Sequence, residues 1–521
     1  LHVIRSMKSK GKAACILPHG VLFRGNAETV IRKNLIQSGI LKTIIGLPAN
    51  LFYGTGITAC ILVLDKENAA ARKGIFMIDA RNGFKKDGSK NRLREQDVHK
   101  IVDIYTRLID VPSYSRMVKF AEIENPKNNF NLNLSRYVDS SDPEDLQSIE
   151  GHILGGIPEN DIDILDSFWK VIPSVRNLLF NSAGRPGFVK LKIPIDQIKT
   201  TIFTHSEFKS FNQKVIKKFS EWKKQSVSKL NKFTKGSSPK QMILSLSESL
   251  LEQFKPTPLI NAYNIYQHLI DYWAKTMQDD CYLISDVGWK DGAIPQEVLK
   301  IKDSNGKMKW PKEPYDYVKK NRRFKSDLLP SKILINHYFI SEQNNIETLQ
   351  SQLFAFDQKL KEIIETNNSE EGLLVDIIEG DDEKQKITLK SIKARLKEIN
   401  KDQNFLDEQK LIKDCQLLLE KQTETKNKLK NATQELFVKL EHKYYELNEE
   451  KIKFLVLEEK WMAQLSNSMM IELDDLSQTL TMRVSELADR YTIPLQTLDE
   501  NVEKIKTRVE NHLKKMGVSW K

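Results

Sequence analysis

Residues 16–66 read ILPHGVLFRGNAETVIRKNLIQSGILKTIIGLPANLFYGTGITACILVLDK, and their pattern decides the fold. Ala13 to Pro18 forms a short apolar strand that ends in Pro18-His19-Gly20. Val30, Ile31 and Leu35 recur at helical spacing, so Asn26 to Ser38 reads as a helix with Gly39 as its stop. Thr43 to Leu47 follows as a buried strand, and Thr58 to Leu64 is the most strand-like run in the chain. Between them lies a loop through Phe52-Tyr53-Gly54-Thr55-Gly56. One further strand is expected over 74–80 and one further helix over 94–109. Successive strands joined by short links imply an antiparallel member. The whole reads as the C-terminal, closing half of a Rossmann-like α/β sheet, a remnant without the opening βαβ half where such folds place their glycine-rich turn.

Working outward, residues 1–10 carry an apolar and basic helix end (Val3, Ile4 and Met7 against Arg5, Lys8 and Lys10) that Gly11 stops. The chain opens on Leu and soon enters a buried strand, so it reads as though cut from something longer. Residues 1–120 are therefore expected to form the α/β half-domain. Residues 121–330 read as a mixed, mainly helical region, with helices at 161–180 and 206–231 and an exposed Lys/Ser loop at 223–240. From 331 to 465 the chain is nearly all helix formers, with Leu429, Leu436, Leu440 and Leu447 in steps of seven and four. Asn, Asp and Gly near 367–382 break this stretch into an antiparallel hairpin of two long helices. Residues 466–521 add C-terminal amphipathic helices, split near Thr492-Ile493-Pro494 because proline cannot continue a helix.

The composition is that of a charge-rich globular protein, 40% hydrophobic and 29% charged, and no apolar run approaches the length that spans a bilayer. Cys15, Cys60, Cys281 and Cys415 are far apart, without CxxC spacing, which fits reduced thiols in a cytoplasmic protein rather than a metal site. The net charge of +11 permits nucleic-acid binding without requiring it, because many lysines sit beside glutamates on long helices. Lys209, Lys214, Lys217, Lys218, Lys223 and Lys224 either follow DNA phosphates or form a solvated helical face.

An enzyme that methylates an extruded adenine needs a glycine-rich turn for its cofactor and an Asn-Pro-Pro-aromatic loop for the exocyclic amine. Neither is here. Asn125-Pro126-Lys127 lacks the second proline and the aromatic, and Gly54-Thr55-Gly56 precedes a strand rather than a helix. Even so, five ordered segments resemble the modification subunit of type I restriction–modification systems, an adenine-specific DNA methyltransferase. They are the stretch quoted above, NFNLNLSRYVD at 129–139, IEGHILGGIP at 149–158, DLLPSKILINHYF at 327–339, and the run from Trp461 to Leu495. The similarity is to the C-terminal portion of that subunit.

The resemblance implies a full-length enzyme that uses S-adenosylmethionine, with no cofactor, catalytic residue or metal expected for this chain alone. It also implies partners: DNA, a specificity subunit, a motor and nuclease (restriction) subunit, and a second modification subunit. In related methyltransferases an aromatic of the 52–57 loop stacks on the extruded base. By position Phe52 matches best and Tyr53 next, with Gly54, Thr55, Gly56 and His19 forming the rest of a target-base pocket. Phe52 packing under the sheet edge is the open alternative, as is His19 serving only as a turn residue. A different class also stands: a non-catalytic assembly or DNA-binding module that docks a specificity subunit.

Overall fold

A computed structural model describes residues 2–140, 145–302, 306–312, 314–367, 373–379, 386–399 and 405–517. After the short helix α1 (His2–Ser6) come β1 (Lys12–Pro18), α2 (Ala27–Gln37), β2 (Leu41–Gly46), β3 (Ala59–Asp65) and β4 (Gly74–Asp79). The hairpin β5 (Lys85–Asp87) and β6 (Lys90–Arg92), helix α3 (Glu95–Arg107) and β7 (Ser115–Lys119) follow. The main sheet runs β1-β3-β2-β4-β7, five strands in all. β3 is antiparallel to both its neighbours, β2 and β4 are parallel, and β7 returns antiparallel.

Side chains alternate across a strand, and this sheet has apolar residues on both faces. On one face Ile44, Cys60, Leu64, Ile75 and Met77 pack with Ile36 of α2. Leu132, Leu134, Tyr137 and Val138 fold back into this same core. On the other, Ile45, Leu47, Phe76 and Ile78 pack with Ile101 and Ile104 of α3. The expected strands and helices of residues 1–109 are present, with ends shifted by a residue or two, except that the first helix stops at Ser6 rather than running to Lys10. The fold is a mixed sheet followed by a mainly helical region.

The chain divides into two compact units. The first takes residues 1–226, 240–275 and 465–521 and contains the five-stranded sheet. Within it, the backbone N–H of Gln96 in α3 donates to Gln267 Oε1 (2.9 Å), and Tyr263 donates to Asp103 Oδ2 (2.7 Å), which seats the helix Ala262–Tyr272 on α3. Asn264 then donates to Glu472 Oε1 (3.0 Å) and His268 Nε2 lies 3.2 Å from Glu472 Oε2, joining the helix Ala463–Tyr491. A second core in this unit gathers Ile162, Trp169, Ile172, Val175 and Phe208 around Leu480, Val484 and Leu487.

The second unit takes residues 227–239 and 276–464. Its three-stranded sheet pairs Arg322–Lys325 with both Gln296–Val298 and Tyr317–Lys319. The helices Ile340–Thr366 and Leu406–Glu446 run antiparallel, since Glu342 meets Lys439 while Asp357 meets Gln422. Leu436, Leu440 and Leu447 of the expected seam are buried. The first of these helices ends at Thr366, where the expected break begins, and half of the stretch 367–382 lies outside the described residues. Lys460 and Trp461, in a π-helical stretch Leu455–Met462, both donate to the buried Asp280 (2.7 and 2.8 Å).

Two local expectations fail. The helix expected over 161–180 is three short ones, Glu159–Asp163, Asp166–Trp169 and Pro173–Leu179, because Pro173 has no N–H to continue a helix and starts a new one. The loop expected at 223–240 is helix as far as Leu230, and the next helix begins at Pro239. Trp222, Ser226 and Leu230 are buried at a spacing of four, so packing on one face outweighs the polar residues between them.

The Glu472 clamp sets a pH dependence. The carboxylate raises the His268 pKa above its ordinary value, burial opposing, so the clamp contributes fully below about pH 6.5 and is lost as pH rises through the raised value. Thermal melts of Glu472→Gln should show a larger loss of Tm at pH 6 than at pH 9, worth no more than about 1 kcal/mol for this partly exposed pair. An equal loss at both pH values would mean that His268 is not part of the clamp's charge.

Candidate functional site

The loop from Leu47 to Thr58 joins β2 to β3 at the carboxyl end of β2, and it is built from polar brackets rather than a core. Asn91 Nδ2 donates to Ala49 O (2.8 Å), and its backbone N–H donates to Asn50 O (3.0 Å). Lys90 Nζ donates to Phe52 O (3.0 Å) and Thr55 O (3.4 Å). The hairpin β5–β6 therefore holds the loop from outside. Inside the loop, the Ile57 N–H donates to Thr55 Oγ1 (3.1 Å). Gly54 adopts φ +76, a left-handed conformation that favours glycine.

Phe52 is partly exposed and lines an apolar hollow of about 660 Å³ on the α3 face of the sheet, with Ile16, Leu47, Leu51, Ile61 and Tyr105 among its walls. Tyr53 is 95% exposed. His19 lies apart from this hollow. It opens the turn His19–Leu22 after β1, its N–H donates to Thr58 O (2.9 Å), and its ring meets Phe23 edge-on. The ring is buried and Nε2 has no hydrogen-bond partner among the described residues. Burial, then the nearby Arg81 charge, push its pKa below the ordinary value against the pull of Asp79, which keeps the imidazole neutral near pH 7. Of the sequence-predicted pocket residues, the structure brings only Phe52 into the apolar hollow; Tyr53, Gly54, Thr55, Gly56 and His19 are not among its walls.

A second hollow of about 630 Å³ lies at the carboxyl ends of β2 and β4, between Thr58, Arg81, Asn82, Asn91 and Ser140. Its floor is an ionic bracket: Arg81 Nε donates to Asp79 Oδ1 (2.7 Å), and Ser140 Oγ donates to Asp79 Oδ2. Burial works against ionising Asp79, but hydrogen bonds from Arg81 and Ser140 overcome it and hold the carboxyl below its ordinary range. Sequence reading missed Lys90, Asn91, Asp79 and Arg81. The Asp87-Gly88 pair signals the hairpin turn, and Gly88 has φ +59, but nothing in one sequence says which loop the hairpin braces.

The six candidate lysines all lie on the helix Ser206–Leu230. At about 100° per residue they are spread around its whole exposed side rather than in one stripe. Lys218 is held by Thr257 Oγ1 (2.8 Å), and Lys214 and Lys218 share a hollow of about 650 Å³ with Glu207. Among the described residues no cluster of His, Cys, Asp or Glu could hold a metal ion, and no helix is long and apolar enough to cross a membrane. Burial pushes the Cys60 and Cys281 thiols up to about 12, so both are poor nucleophiles.

A mixed sheet with polar loops at its carboxyl ends hosts many activities, and comparison narrows the choice. Residues 1–146 match the family described as N-6 DNA methylase. The chain is 38% identical over 134 residues to the methylase subunit of the type I restriction enzyme MjaVII of Methanocaldococcus jannaschii, covering 25% of this chain and 23% of the relative. It is 30% identical over 178 residues to that of MpnII of Mycoplasma pneumoniae, covering 34% and 32%. The crystal structure of a type I restriction–modification methyltransferase subunit from Streptococcus thermophilus shares 39% identity with 26% of this chain and 29% of that one, at a TM-score of 0.25. The N-terminal segment of this chain is thus related to the methylase subunits of type I restriction enzymes, as the motifs imply. The chain spans about a quarter to a third of the length of these two curated relatives.

The bracket around the loop makes a prediction. Lys90→Ala should raise amide hydrogen exchange across residues 50–57 by about tenfold while moving the Tm by less than about 1 °C, since the lost bonds are at the surface. Unchanged exchange would show that the hairpin does not hold the loop.

Proposed function

We propose that this chain is the C-terminal portion of a type I modification subunit, one that acts in methylating adenine in DNA with S-adenosylmethionine. Its share is the closing half of the methyltransferase sheet with the target-base loop, followed by a helical region for assembly. The observation that carries the reading is the match of residues 1–146 to the N-6 DNA methylases, on a sheet whose first strand is open. β1 stands at the sheet's end, Ile16 on it is 58% exposed, and apolar hollows flank the strand on both faces. Such an edge is completed by further strands, here from polypeptide other than these 521 residues.

In this reading the cofactor and the Asn-Pro-Pro loop belong to the other half of the sheet. Phe52, at the rim of its hollow, stacks on an extruded adenine, and stacking of this kind is worth about 1–3 kcal/mol per base. Tyr53 and the Gly54–Gly56 turn, next to Phe52 on the same loop, meet the base from outside the hollow, while His19 serves the turn after β1. Phe52→Ala in an enzyme carrying both halves should lower methylation about tenfold or more with a Tm change under about 2 °C. A large loss of stability with unchanged methylation would return Phe52 to a packing role. For the chain alone, calorimetry should detect no S-adenosylmethionine binding, and micromolar binding would overturn the division of the site.

The specificity subunit is proposed to dock on the exposed sides of the long helices in 331–465. Deleting that stretch would test folding instead, because Tyr444 is bonded to Leu329 O and Lys460 to Asp280 inside the unit. Phe354 and Leu417 are exposed apolar residues on the two helices. Phe354→Glu with Leu417→Glu should abolish co-purification with a specificity subunit while the melting profile stays the same. Retained complex would move the docking surface elsewhere.

A further inference from the structure

Charge is unevenly spread along this chain. Residues 296–325 hold ten lysines and arginines against four acidic residues, a net of +6 within a chain whose whole net charge is +11. They build the three-stranded sheet of the second unit and a small hairpin, Ile301–Lys302 with Met308–Lys309. The two acidic residues described here do not answer the cations at the surface. Asp316 is buried and accepts from the backbone N–H groups of Ser326 (2.6 Å) and Ser331 (2.7 Å), while Glu297 is taken by Arg322 (3.2 Å).

The sheet sorts its cations by face. Paired residues project to one side, and their neighbours along the strand to the other. Tyr317 and Phe324 lie on the side that meets the helix Leu406–Glu446, where Tyr317 stands against Tyr444 and Lys319 pairs with Glu441. Arg323, in register with both Val298 and Val318, projects to the opposite side. There its guanidinium lies 5.0 Å from the centre of the Trp310 ring and 4.5 Å from that of Tyr315, and Lys300 Nζ lies 5.0 Å from Trp310 as well. The rings orient the guanidinium but take none of its N–H donors, and Arg323 has no hydrogen bond or ion pair among the described residues. Lys302, Lys312 and Lys320 are exposed and likewise unpaired among those residues, Lys320 at the tip of the turn before Arg322–Lys325.

We propose that the surface of residues 296–325 centred on Arg323 holds duplex DNA by its phosphates, in a different unit of the chain from the target-base loop. An oriented guanidinium with unused donors, on the same short strands and turns as unpaired lysines, matches phosphate oxygens. A duplex offers one charge per about 1.7 Å of its axis whatever its sequence, so no single register is required. Single strands are held by bases stacked on open aromatic faces, and here both rings already carry cations. The surface follows from charge and register, whereas the choice of DNA among polyanions rests on the methylation reading.

The test is fluorescence anisotropy of the full chain with a labelled duplex of about 30 base pairs and arbitrary sequence, between about 50 and 200 mM salt. The intact chain should bind, and more weakly as salt rises. Lys302→Gln, Lys312→Gln, Lys320→Gln and Arg323→Gln together should lower affinity about a hundredfold at the lower salt and flatten the slope of log K against log salt by about three. The three lysine changes without Arg323→Gln should give most of that loss with the ring stack intact. Lys504→Gln, Arg508→Gln, Lys514→Gln and Lys515→Gln, exposed on the helix Leu495–Lys515, remove the same charge and should cost less than about threefold. Melting profiles should not change in any of these variants. Because the readout is binding rather than methylation, its outcome is separable from that of Phe52→Ala. An intact chain that does not bind, or equal losses for the two sets of four, would overturn the proposal. So would tighter binding of a single strand of the same length, or displacement of the duplex by polyglutamate at matched charge, which would hand the surface to an acidic protein.

Discussion

The structure of the N-terminal unit depends on the position of β3 between β1 and β2, antiparallel to both. Cys60, Leu62 and Leu64 project to the α2 face, while Ile61 and Val63 project to the α3 face. A slip of one residue against either neighbour would exchange these two sets and pull apart both cores at once. The single irregularity is a shift between Leu41 and Thr43, and the residue between them, Lys42, donates to Asp65 Oδ2 (3.3 Å) at the far end of β3. The register therefore has an anchor at one end. At the other, it leaves the β2–β3 loop no choice but to stand at the carboxyl end of β2, where Phe52 reaches the rim of its hollow.

The two units bury carboxylates in opposite ways. Asp79 keeps its charge because Arg81 and Ser140 reach it from a half-open rim, so solvent still reaches the cation. Asp280 and Lys460 are both deep, and burial pushes the acid up and the amine down, each toward its neutral form. Trp461 and the carbonyls of Asp327 and Leu328 complete the shell. A pair so placed adds little net stability over an apolar pair of the same shape, but removing one partner costs about 3–5 kcal/mol. The pair ties the π-helical stretch to the helix Gln278–Val287 at a fixed point.

What was legible in the sequence was whatever repeats. The strands and helices up to residue 109 follow from period and from Gly and Pro stops, and the split at Pro494 from the missing N–H. The small sheet of Gln296–Val298, Tyr317–Lys319 and Arg322–Lys325 was not, because strands of three or four residues are too short to show a period. Over 223–230 the sequence offered both a helix running to 231 and a Lys/Ser loop, and the buried residues Trp222, Ser226 and Leu230 decide for the helix. At the site, Phe52 through Gly56 could be singled out by motif, whereas Lys90 and Asn91 could not. Their contribution is a contact made across about forty residues, and a single sequence carries no record of it.

Two apolar surfaces remain open in this unit, and they differ in what they can accept. Along β1 the outer N–H and C=O groups have no strand partner among the described residues, and hollows lie on both faces. Only another strand, with its own covering layers, satisfies groups of that kind; a helix has no free backbone donors along its length to offer. The seam of exposed aliphatic residues along the helix Leu495–Lys515 has the reverse demand. Its backbone is already bonded within the helix, so it asks only for side chains at a matching spacing. A strand laid on it would leave its own backbone groups unpaired against aliphatic carbon. The two surfaces therefore call for different elements, a strand along β1 and a helix along the seam.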